Sequence, residues 1–233
     1  AMMKLPFQEG LMRLCARLSF LLFLLIALPL HAQQDVAAQR LLAAASRGDA
    51  RTLASLLEHG VPLDARNAQG ETALLLAVDA GHLLVADMLI QRGANINAQA
   101  ANKDTPWLLA GAEGRTAMLE LMLAKGPDYS LLNRYGGTAL IPACHYGHPD
   151  TVRFLTAKSR IDIDQANHLG WTCLLEAVIL GQGGAAHQDI VRTVLSAGAN
   201  PNKPDKDGVT PLAHARRRGH EAIAALILAA GGR

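Results

Sequence analysis

The chain offers few groups for chemistry. Its three cysteines and nine histidines never fall at the paired spacing of a zinc site, and no glycine-rich turn provides a phosphate cradle. Cys144 and His145 adjoin in sequence, yet neighbours on a helix do not face each other, so they form no catalytic dyad. No catalytic residue, metal or cofactor is expected, and the chain reads as a non-enzyme. Excess charge is missing too. There are 22 basic and 20 acidic residues, and Arg216, Arg217 and Arg218 form the one basic cluster, too little for a nucleic-acid stripe. At the end of a helix those three cations suit the helix dipole. The extended apolar stretch, Leu18 to Leu30, has 13 residues, against about 20 needed to span a bilayer as a helix.

That stretch follows Lys4, Arg13 and Arg17 and ends in Pro29, Leu30, His31 and Ala32, the layout of a cleavable secretory signal peptide cut after Ala32. Cys15 precedes the apolar run rather than closing it, which speaks against a lipid anchor. Residues 1–32 are therefore expected to be removed. Residues 33–233 would be the mature domain, periplasmic or secreted, free of the membrane, and formally neutral with 19 basic and 19 acidic residues.

What the sequence does contain is a period. Thr72, Thr105, Thr138, Thr172 and Thr210 lie 33, 33, 34 and 38 residues apart, and each opens a short apolar stretch: Thr72-Ala-Leu-Leu-Leu-Ala77, Thr105-Pro-Trp-Leu-Leu-Ala110, Thr138-Ala-Leu-Ile-Pro-Ala143, Thr172-Cys-Leu-Leu-Glu-Ala177 and Thr210-Pro-Leu-Ala-His-Ala215. Nine residues after each threonine stands a glycine: Gly81, Gly114, Gly147, Gly181 and Gly219, three of them followed by His82, His148 or His220. Threonine caps a helix by accepting from orphan amides, and Pro106 and Pro211 suit the first helical position. Each unit thus predicts two short helices split by the glycine, neither able to stand alone, so stacking must supply the core. Ala45 to Asp49, followed by Leu53, Leu56 and Leu57, adds an N-terminal half-match whose Gln33, Gln34, Asp35, Gln39 and Arg40 suit a capping unit.

This pattern, with Gly93-Ala-Asn-Ile-Asn97 and Gly198-Ala-Asn-Pro-Asn202 closing two units, resembles the ankyrin repeat. The resemblance implies an all-α solenoid of about six helix-turn-helix units joined by β-turn hairpin loops, the first and last acting as caps. It also implies protein binding through the turn tips and the exposed ends of the inner helices, on the concave face. Carried over one repeat at a time, those positions are Gln69, Glu71, Asp79 and Ala80, then Asn102, Asp104, Ala112 and Glu113, all small, polar or acidic. In the fourth repeat they are Arg134, Tyr135, His145 and Tyr146, and in the fifth His168, Leu169, Trp171, Ile179 and Leu180. Of nine aromatic residues, three fall in this last set, and aromatic and Arg side chains dominate interface energies. The expected function is capture of another protein by repeats four and five of a monomeric domain, with a partner of the enzyme-accessory or toxin-immunity type. The alternatives are a thiol-redox, small-ligand or metal role for Cys144 and Cys173, or a scaffold with several weak partners.

Several details set further expectations. Trp107 stands at a core leucine position and should be buried. His82, His148 and His220 should brace the inter-helix turns, and His214 should pack or bond within its helix. Cys144 lies six residues past its threonine and Cys173 one past its own. That offset of about 7.5 Å of rise, combined with helices about 8–10 Å apart, separates the α carbons by about 11–12 Å, too far for a disulfide. Both are expected as free, packed thiols. Lys103 replaces the turn glycine of repeat three, so that turn should open or pass the left-handed conformation to Asn102. Pro142 lies within an inner helix and should bend it. An insert within Gln182 to Gln188 reads as an exposed loop before the outer helix resumes at Asp189.

Overall fold

A computed structural model describes residues 33–233, and the expected signal peptide lies outside them. Twelve helices follow one another in pairs among the described residues: α1 (33–47) with α2 (Ala50–Glu58), α3 (Ala73–Asp79) with α4 (Leu83–Gln91), and α5 (Pro106–Ala112) with α6 (Thr116–Leu123). Then come α7 (Leu140–Tyr146) with α8 (Pro149–Lys158), α9 (Cys173–Ile179) with α10 (Ala185–Ser196), and α11 (Pro211–Arg217) with α12 (Glu221–Ala229). Inner helices α3, α5, α7, α9 and α11 stack on one another, and outer helices α2 to α12 form a second layer. The core runs unbroken between the layers, from Leu41 and Leu53 through Leu89, Leu119 and Leu155 to Ile190 and Ile227.

The threonines act as predicted in four of five repeats. The hydroxyls of Thr72, Thr105, Thr172 and Thr210 accept from the amides of Leu75, Leu108, Leu175 and Ala213 at 3.1–3.3 Å. Thr138 does not; α7 starts a residue later, at Leu140 with Ala139 before it, and the Thr138 hydroxyl is buried without a partner among the described residues. Pro142 removes a backbone bond, as expected: four residues after the threonine, Leu76, Leu109, Glu176 and His214 each donate to the threonine carbonyl, and Pro142 has no amide proton with which to do so. Trp107 is buried, edge-on to Tyr129 at 5.9 Å.

Side chains after the inter-helix glycines fasten each repeat to the one before. His82 lies over Gly48, whose φ is +73° and where a Cβ would come within 2.6 Å of His82 Nδ1, and the His82 Nε2 is 3.0 Å from the Ser46 carbonyl. Arg115 on Gly81, His148 on Gly114 and His220 on Gly183 repeat the arrangement. In repeat five the brace is His187, which packs on Gly147 and reaches the His145 carbonyl at 3.0 Å. The insert is a loop only over residues 182–184, with Gln182 and Gly184 exposed; α10 begins at Ala185, and the rest of the insert lengthens that helix at its start and carries His187. The left-handed glycine of that repeat is Gly183 rather than Gly181. Lys103 corrects another expectation, since it takes the left-handed conformation itself (φ +66°) and the turn stays closed, with its amide 2.9 Å from the Ala100 carbonyl.

Cys144 and Cys173 are joined by a disulfide, with α carbons 5.4 Å apart, contrary to the expectation of free thiols. The distance between helix axes overstates the gap, because facing α carbons each project about 2.3 Å towards the other helix. Cys144 is the fifth residue of α7 and Cys173 the first of α9, an offset of about 6 Å if the helices began level. Since that alone exceeds the observed separation, α7 and α9 are also staggered. The crosslink closes a 29-residue separation, and both residues are wholly buried. For a loop of that size the stabilisation is about 3 kcal/mol. Thiol titration of the denatured, unreduced protein should detect neither Cys144 nor Cys173, and dithiothreitol should lower unfolding stability by about that amount. Two titratable thiols, or stability indifferent to reductant, would contradict the crosslink.

Candidate functional site

Four inner helices, α3, α7, α9 and α11, are preceded by a hairpin whose tip is held by one side chain. Asn133 Oδ1 accepts from the amides of Tyr135 and Gly137, both at 2.9 Å, and Asn167 Oδ1 accepts from Leu169 and Trp171 at 2.9 and 3.0 Å. Asn67 and Asp205 do the same in repeats two and six. Asn and Asp hold turns this way because the short side chain reaches the backbone two residues on. The tips of repeats four and five are also tied together, His168 N–H donating to the Tyr135 carbonyl at 2.8 Å. Tyr135, Leu169 and Trp171 are thus presented on a fixed backbone.

Between these tips and the ends of α5, α7 and α9 lies a groove of about 500 Å³. Arg134, Tyr135, His145, Tyr146, His168, Leu169, Trp171 and Leu180 all line it; Ile179, the remaining predicted position, is half-buried and does not. The groove reaches into repeat three, where Asp104, Ala112 and Glu113 line it, while Asn102 does not. Tyr135 and Tyr146 are 59% and 60% exposed. Arg134 lies over the Tyr135 ring at 4.7 Å and 3.9 Å from Asp104, and the His145 ring stacks on Tyr146 at 4.4 Å. Burial raises the Asp104 pKa, opposed by the Arg134 charge.

Glu176, to which the sequence reading gave no role, also lines the groove and is only 6% exposed. Asn167 Nδ2 donates to its Oε1 at 2.8 Å, but Oε2 has no hydrogen-bond partner. His145 Nδ1 is 3.8 Å away, too far for a hydrogen bond. Burial raises the Glu176 pKa to about 7, partly offset by the Asn167 bond, while burial and then the His187 charge lower that of His145. Burial thus favours the uncharged form of both groups, which weakens any ionic attraction between them. The signal was visible in the sequence: four residues after the threonine the other repeats carry Leu76, Leu109, Pro142 and His214, and repeat five carries an acid.

A carboxyl whose pKa is raised by folding stabilises the fold when protonated. The contribution is complete below pH 4.5 and is lost as the pH rises through about 7. The span corresponds to about 3 kcal/mol. Glu176→Gln keeps the shape and the Asn167 contact, so urea denaturation should find it more stable than wild type at pH 8, by up to about 3 kcal/mol, and equal at pH 4.5. A difference that does not change with pH would contradict the buried-carboxyl assignment.

The stacked pairs, hairpin tips and glycine seats match a known architecture. The family profile described as ankyrin repeats (three copies) covers residues 13–100 and 107–205. The chain belongs to the ankyrin repeat family. It resembles a solved ankyrin repeat domain from Acinetobacter baumannii AYE, with 47% identity, a TM-score of 0.79, and coverage of 83% of this chain and 98% of that one. A second solved ankyrin repeat protein gives 39% identity and a TM-score of 0.79 over 82% and 97% of the two chains. The ankyrin repeat protein YahD of Escherichia coli strain K12 is 50% identical over 105 residues, which is 45% of this chain and 52% of YahD, so the match spans about half the curated relative. Ankyrin repeats act as protein-interaction modules and are generally not enzymes. Among the described residues no helix is long and apolar enough to cross a membrane, and no group of three or more His, Cys, Asp and Glu could hold a metal ion.

Proposed function

We propose that this ankyrin domain captures one partner protein in the groove of repeats four and five, with repeat three as its acidic border. One observation carries the reading: three of the nine aromatic residues surround a single groove, in which two tyrosines lie more than half exposed. A patch of exposed rings calls for a reason in a monomer, and Tyr, Trp and Arg are the residue types that anchor interfaces. A partner covering the groove and its rims would bury about 800 Å² on this side, the standard size of a stable complex.

The proposed location is the periplasm or another exported compartment. The signal-peptide layout of residues 1–32 supports it, and so does the Cys144–Cys173 disulfide, a bond that persists in oxidising compartments. The same disulfide weakens the thiol-redox alternative, because exchange needs access and both cysteines are wholly buried. An exported binding module of this kind suits an accessory factor for an enzyme or an immunity protein that holds a toxin.

The test is crosslinking and recovery from the native cell envelope, comparing wild type with Tyr135→Ala/Trp171→Ala. Tyr135 is exposed, and its loss leaves the core intact. A partner recovered with wild type should bind the double variant at least tenfold more weakly, the expected effect of removing interface anchors. Equal recovery with both proteins would place the binding surface elsewhere.

A further inference from the structure

We propose that the groove takes a lysine or arginine side chain of the partner protein, with the Glu176 carboxylate as its counter-charge and the rings of Tyr146 and Trp171 as its walls. This inference rests on the groove being the binding surface, and it specifies what that surface recognises.

The reason begins with an incomplete pair. In repeat six the position four residues after the threonine is His214, and its Nε2 is 2.7 Å from Asp205 Oδ2 of the same hairpin. In repeat five the hairpin residue is the amide Asn167, which offers Glu176 one donor and leaves Oε2 without any. A buried carboxylate oxygen without a donor is unfavourable, and a charge-assisted hydrogen bond from an ammonium or guanidinium is the strongest way to satisfy it.

Among the described residues no group at the groove supplies that cation. From α7, His145 stands 3.8 Å away and is held towards its neutral form by burial. On the α10 side, His187 is directed at the His145 carbonyl, and on the α11 side His214 is held by Asp205. The hairpin contributes His168, which is exposed and packs against Gly136. Arg134, the only Arg or Lys lining the groove, is engaged with Asp104 and with the Tyr135 ring. That last contact seats a guanidinium over a ring at the edge of the same groove, at 4.7 Å, within the range of cation–π attraction that Tyr146 and Trp171 would offer. Asp104 and Glu113 at the border add negative potential that favours a cationic ligand. His145, with its side chain 35% exposed, lies nearest Oε2 and turns aside as the cation enters.

Binding a cation at a carboxyl with a raised pKa releases a proton, so affinity should be roughly tenfold weaker at pH 6 than at pH 8. Protonation of His145 would act in the same direction.

The probe is a library of random 12-residue peptides displayed on phage and selected on the protein at pH 8. Enriched peptides should contain Lys or Arg. Its replacement by norleucine should weaken binding to wild type at least tenfold but leave binding to Glu176→Gln unchanged. Enriched peptides without a basic residue that are lost on Tyr135→Ala/Trp171→Ala would overturn the cation assignment while leaving the groove as the binding surface. Peptides indifferent to both variants, or no enrichment at all, would overturn both.

Discussion

Each helix pair is fastened to the pair before it by one side chain laid on a left-handed glycine. Helices of seven to twelve residues, such as α3 and α10, are too short to persist alone, so this register decides whether their apolar faces meet. Glycine suits these seats because each is left-handed and, at Gly48, Gly114 and Gly183, a Cβ would collide with the incoming ring. Repeat three uses Arg115 in place of histidine, and repeat five uses His187 from an extra helical turn. The requirement is therefore a flat, donor-bearing side chain at this place in space, whichever residue type and sequence offset supplies it. Once the pairs are seated, the hairpin tips fall into line, and the groove is a consequence of that alignment.

Much of this was legible because the repeat is written in local chemistry. Threonine caps, prolines at the first helical position and glycines nine residues on each report a backbone requirement that acts within a few residues. Trp107 and the bracing histidines followed from their place in the unit. The eight groove residues were reached in the same way, since position within a repeat fixes the direction of a side chain. What could not be read depended on relations between units. The disulfide hangs on the stagger of α7 against α9, which single-repeat reasoning sets to zero. The function of His187 required knowing that the insert extends a helix. Thr138 makes no capping bond, and Pro142 leaves the Thr138 carbonyl without the helical amide that the other four repeats supply.

Glu176 was missed for a different reason. It occupies an ordinary position in an otherwise apolar row, and only the neighbours reveal that one of its oxygens has no partner. Asn133 and Asn167 were likewise overlooked, although an Asn or Asp five residues before the threonine recurs in four repeats. These side chains convert a flexible tip into a rigid platform for Tyr135, Leu169 and Trp171. The resulting groove combines exposed aromatic rings, a desolvated acid and a pre-engaged arginine. The Cys144–Cys173 crosslink joins the same two repeats that present most of it.

The central claim is that repeat five holds a desolvated carboxyl at the groove, and the most direct measurement is a carbon-13 NMR titration of the Glu176 side-chain carboxyl in the folded protein, assigned with Glu176→Gln. The account predicts a midpoint of about 7. A midpoint at the ordinary glutamate value near 4.5 would mean that water or a cation already satisfies the carboxylate, and would contradict it.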